Sequence, residues 1–164
     1  MTSARAATYA AIMADPSDPV PPGMTYGDAP IQMRMTQFAP HAQALGMTLV
    51  SVEKGRGVMT TPWREDLVGD PETGVIASGV VTALLDHTCG LAINAAGDTL
   101  MPIATLDLRI DYMRPAKPRA GLTCEAHAYR MTRSIGFVRA EAWDEDRSDP
   151  VATAQAAFML NTRS

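Results

Sequence analysis

The sequence contains few cysteines, few aromatic residues and no excess of basic charge. Its two cysteines, Cys89 and Cys124, lie in no CxxC motif and at no metal-ligand spacing from a histidine, which argues against a disulfide scaffold and a zinc site. The 14 basic and 18 acidic residues give a formal net charge of −4, which argues against a basic surface for nucleic acid or an anionic membrane. No segment has the pattern of a signal peptide or the length of a membrane span. We therefore expect a cytoplasmic protein that binds neither nucleic acid nor membrane and holds no metal or other resident cofactor.

Chain length and proline distribution predict one domain with an N-terminal extension. The chain has 164 residues, of which 46% are apolar, as is usual for a single globular domain. Residues 1–30 carry five prolines (Pro16, Pro19, Pro21, Pro22 and Pro30), which interrupt helices and strands alike. The sequence therefore predicts a weakly structured extension over residues 1–30 and a single domain over residues 31–164.

The rest of the chain alternates as strands around one apolar helix. Ser78–Ile93 is the only long apolar run and is apolar nearly all round, which is typical of a helix enclosed by its surroundings. An antiparallel sheet curled round this helix would bury its circumference, so the sequence predicts an α+β fold. The predicted strands are Met47–Glu53, Val58–Trp63, Ile103–Met113, Gly121–Thr132, Ile135–Asp144 and Val151–Leu160. Short connections predict that the last four are antiparallel neighbours in a meander. In the first of these four, Leu106 is expected on the same face as Leu108 and Ile110.

One acidic residue, Asp86, lies within the apolar helix. An unpaired carboxylate in a core is costly, so such a residue is either partnered or functional. Helical spacing places Asp86 on one stripe with the small residues Gly79, Thr82 and Gly90, where a ligand or another backbone can approach closely. The stripe favours a catalytic carboxylate with Thr82 and Gly90 as substrate contacts. The alternative is a structural aspartate that caps a neighbouring loop or pairs with an arginine across an interface.

The start of the helix is a second candidate feature. Ser78 is a suitable N-cap, and the free amides of a first helical turn carry partial positive charge that suits a developing oxyanion. Together with Asp86 two turns further on, these amides indicate acyl transfer. The alternative is an ordinary capped helix.

A basic loop is a third candidate feature. Arg114, Lys117 and Arg119 lie within six residues that include two prolines, and Arg133 at the next strand junction is expected to add to the same patch. Such a cluster suits phosphate groups, although it is also typical of a solvated turn.

The remaining histidines and cysteines are predicted to be structural. His87 follows Asp86 but points about 100° away from it round the helix, so we expect a packed or interface histidine rather than a general base. Cys89 and Cys124 are expected in the core.

Four stretches resemble the hot-dog-fold thioesterases, specifically the phenylacetic-acid-degradation (PaaI-type) acyl-CoA thioesterases. These stretches are Arg64–Asp70 (REDLVGD), Thr73–Ala92 (TGVIASGVVTALLDHTCGLA), Ala104–Ala116 (ATLDLRIDYMRPA) and Val151–Leu160 (VATAQAAFML). The resemblance implies a hot-dog fold, in which a curved antiparallel sheet wraps one long central helix. It also implies hydrolysis of an acyl-CoA thioester to a free acid and CoA, by a homodimer or homotetramer with its sites at the dimer interface.

The resemblance further implies roles for individual residues. In that family His-Gly-Gly opens the central helix and a catalytic acid follows, whereas this chain has Ala77-Ser78-Gly79 and then Asp86. Asp86 would attack the thioester carbon or activate water, and the amides of Ser78 and Gly79 would polarise the carbonyl. Asp70 would contact the water, Thr105 would reach the acid from the opposite subunit, and the basic loop would lie near the CoA phosphates.

Two other functions are compatible with this resemblance. Because Ala77 replaces the family histidine, an acyl-CoA-binding or sensing protein with impaired catalysis is the first. A hydratase or dehydratase on the same fold is the second. It would need a histidine paired with an acid, for which His87 is the only nearby residue.

Overall fold

A computed structural model describes residues 34–36, 38–97 and 102–160, so the predicted extension over residues 1–30 lies outside the described residues. The described part contains one six-stranded antiparallel sheet, a two-stranded ribbon and one long helix. In chain order the elements are α1 (Pro40–Ala44), β1 (Thr48–Glu53), β2 (Arg56–Thr61), a 3-10 turn (Glu65–Leu67), β3 (Val68–Asp70), β4 (Val75–Ile76), α2 (Ser78–Ala96), β5 (Ile103–Tyr112), β6 (Leu122–Met131), β7 (Ile135–Trp143) and β8 (Ala152–Leu160). The predicted α+β class and the hot-dog arrangement are confirmed.

The strand order of the large sheet is β1-β2-β6-β7-β8-β5. The predicted antiparallel neighbours β6, β7 and β8 are confirmed, but the meander does not include β5, which pairs with β8. The reason lies in the connection after β5, which crosses the ends of β8 and β7. Met113 donates its amide to the carbonyl of Val151, and both terminal nitrogens of Arg114 bond the Asp144 carboxylate at 2.7 and 2.8 Å. This anchor carries the chain from one edge of the sheet to β6 in its interior.

The first hairpin is tighter than predicted. Glu53 pairs with Arg56, so the turn contains only Lys54 and Gly55 instead of the four residues expected. Gly55 has a φ of +71°, a left-handed value that glycine adopts at little cost. As a result β2 begins two residues before the predicted Val58.

Helix α2 forms the centre of the core. It packs against β2, β6 and β7, and ten of its residues are buried on several sides of the helix. Gly57 of β2 permits this packing, because a Cβ atom there would lie 2.5 Å from Cδ2 of Leu91. By length and composition alone α2 would qualify as a membrane span, but more than half of its apolar window is buried inside the domain, as in the core helix of a globular fold.

Strand β5 departs from the predicted alternation. Its register against β8 shifts between Thr105 and Asp107, so Leu106 lies in a bulge and its side chain is 54% exposed. The expectation that Leu106 shares a face with Leu108 and Ile110 was wrong, because a bulge inserts one residue that the period of two does not count. The bulge lies next to Thr105, on the strand that forms one free edge of the sheet.

Candidate active site

Asp86 lies at the middle of a groove beside α2. Its side chain is half-buried, and the hydroxyl of Thr105 on β5 donates a hydrogen bond to its Oδ1 at 2.9 Å. The groove has a volume of about 500 Å³ and is lined by His41, Ala42, Met47, Gly79, Thr82, Ala83, Asp86, His87, Thr105 and Leu108. Thr105 therefore reaches the acid within one chain, whereas the family resemblance implied a reach from the opposite subunit. A carboxylate held by one hydroxyl and open to a groove keeps acceptor capacity for water or a substrate.

The small-residue stripe of α2 differs between its two ends. A Cβ atom at Gly79 would have no neighbour within 4 Å, so the helix is open there. At Gly90 a Cβ atom would lie 3.5 Å from Ile103 Cδ1, 3.8 Å from Phe158 Cε1 and 4.0 Å from Met35 Cε. The predicted stripe is thus exposed at Gly79 and Thr82 but covered at Gly90, so Gly90 does not line the groove.

The start of α2 lies beside a second groove of about 300 Å³. The N-cap is Ala77, which has extended backbone angles and no side-chain cap, and Ser78 is the first helical residue instead of the predicted cap. Within the described residues the amides of Ser78 and Gly79 have no backbone acceptor, whereas Val80 donates to the Ala77 carbonyl at 3.0 Å. Two uncapped amides at an exposed helix start are available to a carbonyl oxygen or an oxyanion.

The hydroxyls of Tyr112 and Thr82 are hydrogen bonded to each other between the two grooves. Tyr112 at the end of β5 donates its hydroxyl to the Ser78 carbonyl at 3.0 Å, and this hydroxyl lies 2.7 Å from Oγ1 of Thr82. Tyr112 lines the groove at the helix start and Thr82 lines the groove of Asp86. Tyr112 was not singled out from the sequence, because strict alternation places residues 105 and 112 on opposite faces of β5. Only the bulge at Leu106 brings both side chains to α2.

Asp70 lies in the groove at the helix start and does not line the groove of Asp86. Its carboxylate accepts bonds from the Thr73 hydroxyl at 2.9 Å and from the Glu72 amide at 3.0 Å. These bonds hold the pKa of Asp70 below its usual value, with the Thr73 bond the larger cause. Asp70 is therefore ionised at neutral pH and stabilises its own turn.

Asp86 and the amides at the helix start are too far apart within one chain to act on one carbonyl group. Eight residues of α-helix separate Ser78 from Asp86, a rise of about 12 Å. An attacking oxygen, a carbonyl group and an amide donor together extend over less than about 8 Å.

The predicted basic patch is divided by the structure. Arg114 is bound to Asp144 and Asp149, and Lys117 is bound to Glu145. Asp144 has no exposed side-chain surface, and the Arg114 guanidinium holds the pKa of its carboxyl well below the usual range. These partners occupy the charges that the sequence suggested for phosphates.

The other two arginines of the predicted patch are separated from each other. Arg119 has no ionic partner within the described residues, and its guanidinium lies 5.9 Å from the ring centre of Trp63. Arg133 follows β6, whereas the basic loop precedes it, so the length of that ten-residue strand lies between them. Such a strand is about 30 Å long, and the expectation that Arg133 joins the patch within the chain was wrong.

His87 and the two cysteines are structural, as predicted. Nε2 of His87 is hydrogen bonded to the main-chain carbonyl of Met35 at 2.5 Å. Both cysteines are free and buried, and burial raises the pKa of the Cys124 thiol to about 12. Within residues 34–36, 38–97 and 102–160 no three His, Cys, Asp or Glu side chains are grouped as a metal site requires. The absence of a resident cofactor stays a prediction.

Comparison with known proteins identifies the family. The model of the thioesterase superfamily matches residues 73–151, which include α2 with Asp86 and strands β5 to β7. A solved structure from Pseudomonas aeruginosa is 34% identical with a TM-score of 0.71, and the match covers 79% of this chain and 98% of that one.

Two further similar proteins have names that state a pathway or an activity. A mutant of the phenylacetic acid degradation protein PaaI from Thermus thermophilus is 28% identical with a TM-score of 0.64, over 73% of this chain and 97% of that one. The medium/long-chain acyl-CoA thioesterase YigI of Salmonella typhimurium is 26% identical over 136 residues, which covers 74% of this chain and 85% of YigI. The fold, the acid on the central helix and these matches together show that the chain belongs to the thioesterase superfamily, as a hot-dog thioesterase of the PaaI type.

Proposed function

We propose that this protein hydrolyses acyl-CoA thioesters at a site shared by two copies of the chain. The observation that carries the proposal is the position of Asp86, a half-buried carboxylate that Thr105 fixes in an open groove. The acyl-CoA thioesterase named among the similar proteins supports the substrate class. We also retain the expectation of a cytoplasmic protein, which the two free cysteines support.

The need for a second copy follows from the separation along α2. The carboxylate of Asp86 and the amides of Ser78 and Gly79 cannot reach one thioester within a chain, because about 12 Å of helix lies between them. Two antiparallel helices that cross near Thr82 would place residue 79 of one copy opposite residue 86 of the other. The exposed part of the small-residue stripe is centred on Thr82, and small side chains permit such a close approach.

The free edge of the sheet supports the same arrangement. β5 is an edge strand and flanks α2 along its length, with Thr105 at Asp86 and Tyr112 at Ser78. An exposed edge strand pairs readily with an identical strand about a two-fold axis. Pairing of β5 with β5 of a second copy would bring the two α2 helices side by side in opposite directions. Association of two such dimers into a tetramer remains an expectation from the family resemblance.

The proposed reaction needs only groups of this chain and water. Asp86 of one copy takes a proton from water while the water oxygen attacks the thioester carbon, or the carboxylate attacks that carbon itself. The resulting oxyanion accepts hydrogen bonds from the Ser78 and Gly79 amides of the second copy. Collapse of the tetrahedral intermediate breaks the carbon–sulfur bond. In the first route the leaving thiolate takes up the proton that Asp86 accepted from water, and in the second route it takes a proton from solvent water. In the second route water then hydrolyses the acyl-aspartate anhydride.

Arg119 is the cation of the basic loop that remains for a CoA phosphate. Arg114 and Lys117 are bound to carboxylates, and their proposed role becomes that of holding the loop in place. Arg119 lies beside the groove at the helix start, where its amide donates to the Gly74 carbonyl at 3.1 Å. A phosphate next to this guanidinium would gain a charge-assisted hydrogen bond.

Ala77 favours a second candidate function, the binding of acyl-CoA without efficient turnover. The family histidine is absent at this position, and a Cβ atom at Gly69 would lie 2.8 Å from the Ala77 Cα, so the backbones are in close contact here. This candidate predicts acyl-CoA binding by calorimetry with no release of free thiol over hours.

The test combines a thiol-release assay with mixed dimers of two inactive variants. Asp86→Asn removes the carboxylate with little change in shape. Ser78→Pro removes the amide donor together with the serine hydroxyl and should leave the helix intact, because proline is well accepted at the first helical position and Ala77 has the extended angles that precede proline. We expect each variant alone to lose at least about a hundredfold in kcat.

A mixed dimer, purified through two different affinity tags, distinguishes a shared site from a single-chain site. With shared sites it contains one intact pair, Asp86 from one chain and Ser78 from the other, and should recover about half of the wild-type rate. If each chain held its own complete site, the mixed dimer would stay as inactive as its parents. Full activity of Asp86→Asn by itself would overturn the catalytic assignment.

A further inference from the structure

One side of the Asp86 groove is formed by a segment that the family resemblance does not cover. Residues 34–36 and 38–47, here called the N-terminal wall, precede β1 and contact α2 through Met35, at His87 and at Gly90. His41, Ala42 and Met47 of this wall line the groove opposite Thr82, Ala83 and Leu108. Met35 is 8% exposed and its Cε reaches the surface of α2 at Gly90, where it covers the closed end of the stripe.

The N-terminal wall is held at its two ends by different contacts. At the end next to β1, the Thr61 hydroxyl donates to the Leu45 carbonyl and the Arg64 guanidinium to the Ala44 carbonyl at 2.8 Å. At the other end, one contact to α2 is the hydrogen bond between Nε2 of His87 and the Met35 carbonyl, beside the packing of Met35 Cε at Gly90. His87 directly follows Asp86, so the residue that fixes the wall is adjacent to the acid.

The groove lining indicates the class of acyl group. Its apolar surface comes from the aliphatic side chains of Ala42, Met47, Ala83 and Leu108, and no Phe, Tyr or Trp is among its described lining residues. Methionine adapts its shape to flexible apolar partners. Such a surface suits a linear aliphatic chain, whereas an aromatic acyl group would find only the imidazole rings of His41 and His87 beside it.

We infer that the N-terminal wall determines specificity for aliphatic acyl chains long enough to reach it, and that His87 is the positioning residue that holds the wall against α2. This inference rests on the proposed function. His87 acts through its hydrogen bond to the Met35 carbonyl, from a position in the groove lining next to Asp86. Loss of its hydrogen bond loosens the surface that binds the distal part of the acyl chain, and the chemistry at Asp86 continues for substrates that do not extend that far.

The test compares acetyl-, butanoyl-, octanoyl-, hexadecanoyl- and phenylacetyl-CoA in the thiol-release assay with the full chain. In the wild type we expect octanoyl-CoA to give a higher kcat/KM than acetyl- or phenylacetyl-CoA. His87→Ala should raise the KM for octanoyl-CoA about five- to tenfold, the effect of one lost hydrogen bond, with kcat within about twofold. For acetyl-CoA, kcat/KM should stay within about twofold.

Two further variants separate positioning from general structural damage. His87→Gln keeps a nitrogen donor at a similar reach and should restore the wild-type KM. His127→Gln, on the outer surface of β6 and away from both grooves, is the matched control and should change nothing. An equal loss of kcat on every substrate in His87→Ala, an unchanged KM for octanoyl-CoA, or no rescue by glutamine would each overturn the inference.

A second readout keeps the inference separate from the proposed function. If the wild type releases no thiol from any ester, the proposed hydrolysis has failed and the wall is tested by amide hydrogen exchange. The probe is the S-octyl thioether of CoA, which cannot be hydrolysed. If binding of the probe protects residues 38–47 from exchange, and does so less in His87→Ala than in His87→Gln, the role of the N-terminal wall in binding the acyl chain is supported. Unchanged exchange in the bound wild type would overturn that role.

Discussion

The small-residue stripe on α2 has a glycine at each end, and one of these glycines is exposed while the other is buried. Gly79 has open space over it, and its own amide and that of Ser78 are uncapped, whereas Gly90 is buried beneath Met35, Ile103 and Phe158. The open end is bordered by the polar groups Tyr112 and Arg114, and the closed end by apolar side chains. A small residue therefore serves different purposes at the two ends, access at Gly79 and packing at Gly90.

Asp86 lies between these two environments. On one side the groove continues to the exposed helix surface at Thr82 and Gly79, and on the other it ends against the N-terminal wall. An acid at this boundary is accessible to water and substrate while one flank stays apolar. The comparison teaches that the position of a polar residue along a buried helix, and not its mere presence there, decides whether it is available for chemistry.

Replacing Gly79 and Gly90 by leucine, one at a time, should give the largest difference in activity and stability between the two ends of the stripe. Gly79→Leu should lower kcat/KM at least about a hundredfold, because the side chain fills the proposed shared site, while its melting temperature stays near wild type. Gly90→Leu should lose about 1–3 kcal/mol of folding stability through overpacking, which corresponds to a melting temperature lower by several degrees.

Thermal melts and the thiol-release assay on both variants check this pair. Alanine serves as the control at each position. Equal stability losses at Gly79 and Gly90 would contradict the difference in their surroundings. Loss of activity in Gly90→Leu without loss of stability would place the closed end in the active site.

Acid should weaken the ion pair of Arg114 with Asp144, which fixes the connection after β5 next to the open end. The folded pKa of Asp144 is depressed, mainly by its bonds to Arg114, so its contribution is present above the unfolded pKa of about 4 and is lost as the pH falls through the folded value. At pH 7 Asp144→Asn should cost about 2 kcal/mol, since Arg114 loses its main partner.

Melting curves from pH 7 to pH 3 measure this contribution. The difference in melting temperature between wild type and Asp144→Asn should narrow as the pH falls. A constant difference over that range would mean that the carboxylate charge is not what holds the connection after β5.

Thr105→Val gives the smallest expected effect and tests Asp86, which lies between the open and the closed end of the stripe. Valine has the shape of threonine without the hydroxyl, so Asp86 loses the donor that orients it. We expect kcat to fall about five- to tenfold with little change in KM, because the lost bond fixes the acid and not the substrate. Steady-state kinetics on octanoyl-CoA give the answer, and a change confined to KM would assign Thr105 to substrate binding.

Much of the fold could be predicted from local pattern. The all-round apolar run at residues 78–93 predicted the enclosed helix, and the alternating runs predicted the six strands of the large sheet, because both depend on periodicity within one segment. The pairing of β5 with β8 could not be predicted in this way. It depends on the Arg114–Asp144 contact, which joins residues thirty positions apart. The exposure of Leu106 also escaped prediction, since a bulge is defined by the partner strand.

The sequence could indicate Asp86 as a site residue, but it could not indicate how the residues of the site are arranged in space. The isolation of Asp86 among apolar residues marked it, and the structure adds the Thr105 bond and the groove. Arg133 was assigned to the wrong end of the molecule, because sequence distance from Lys117 says little when a whole strand intervenes. Tyr112 and the N-terminal wall were not recognised as parts of the site, since their relation to α2 exists only after the chain has folded.

Local sequence pattern was sufficient to identify the helical and strand segments, the buried helix and the acid that stands out within it. These properties follow from side-chain chemistry at fixed local spacing, and spacing along the chain survives in the fold. Only the tertiary structure decided which end of the stripe is open, which cations keep a free charge and which segment closes the groove. Each of these depends on contacts between residues far apart in sequence, and burial and pairing are set by such contacts.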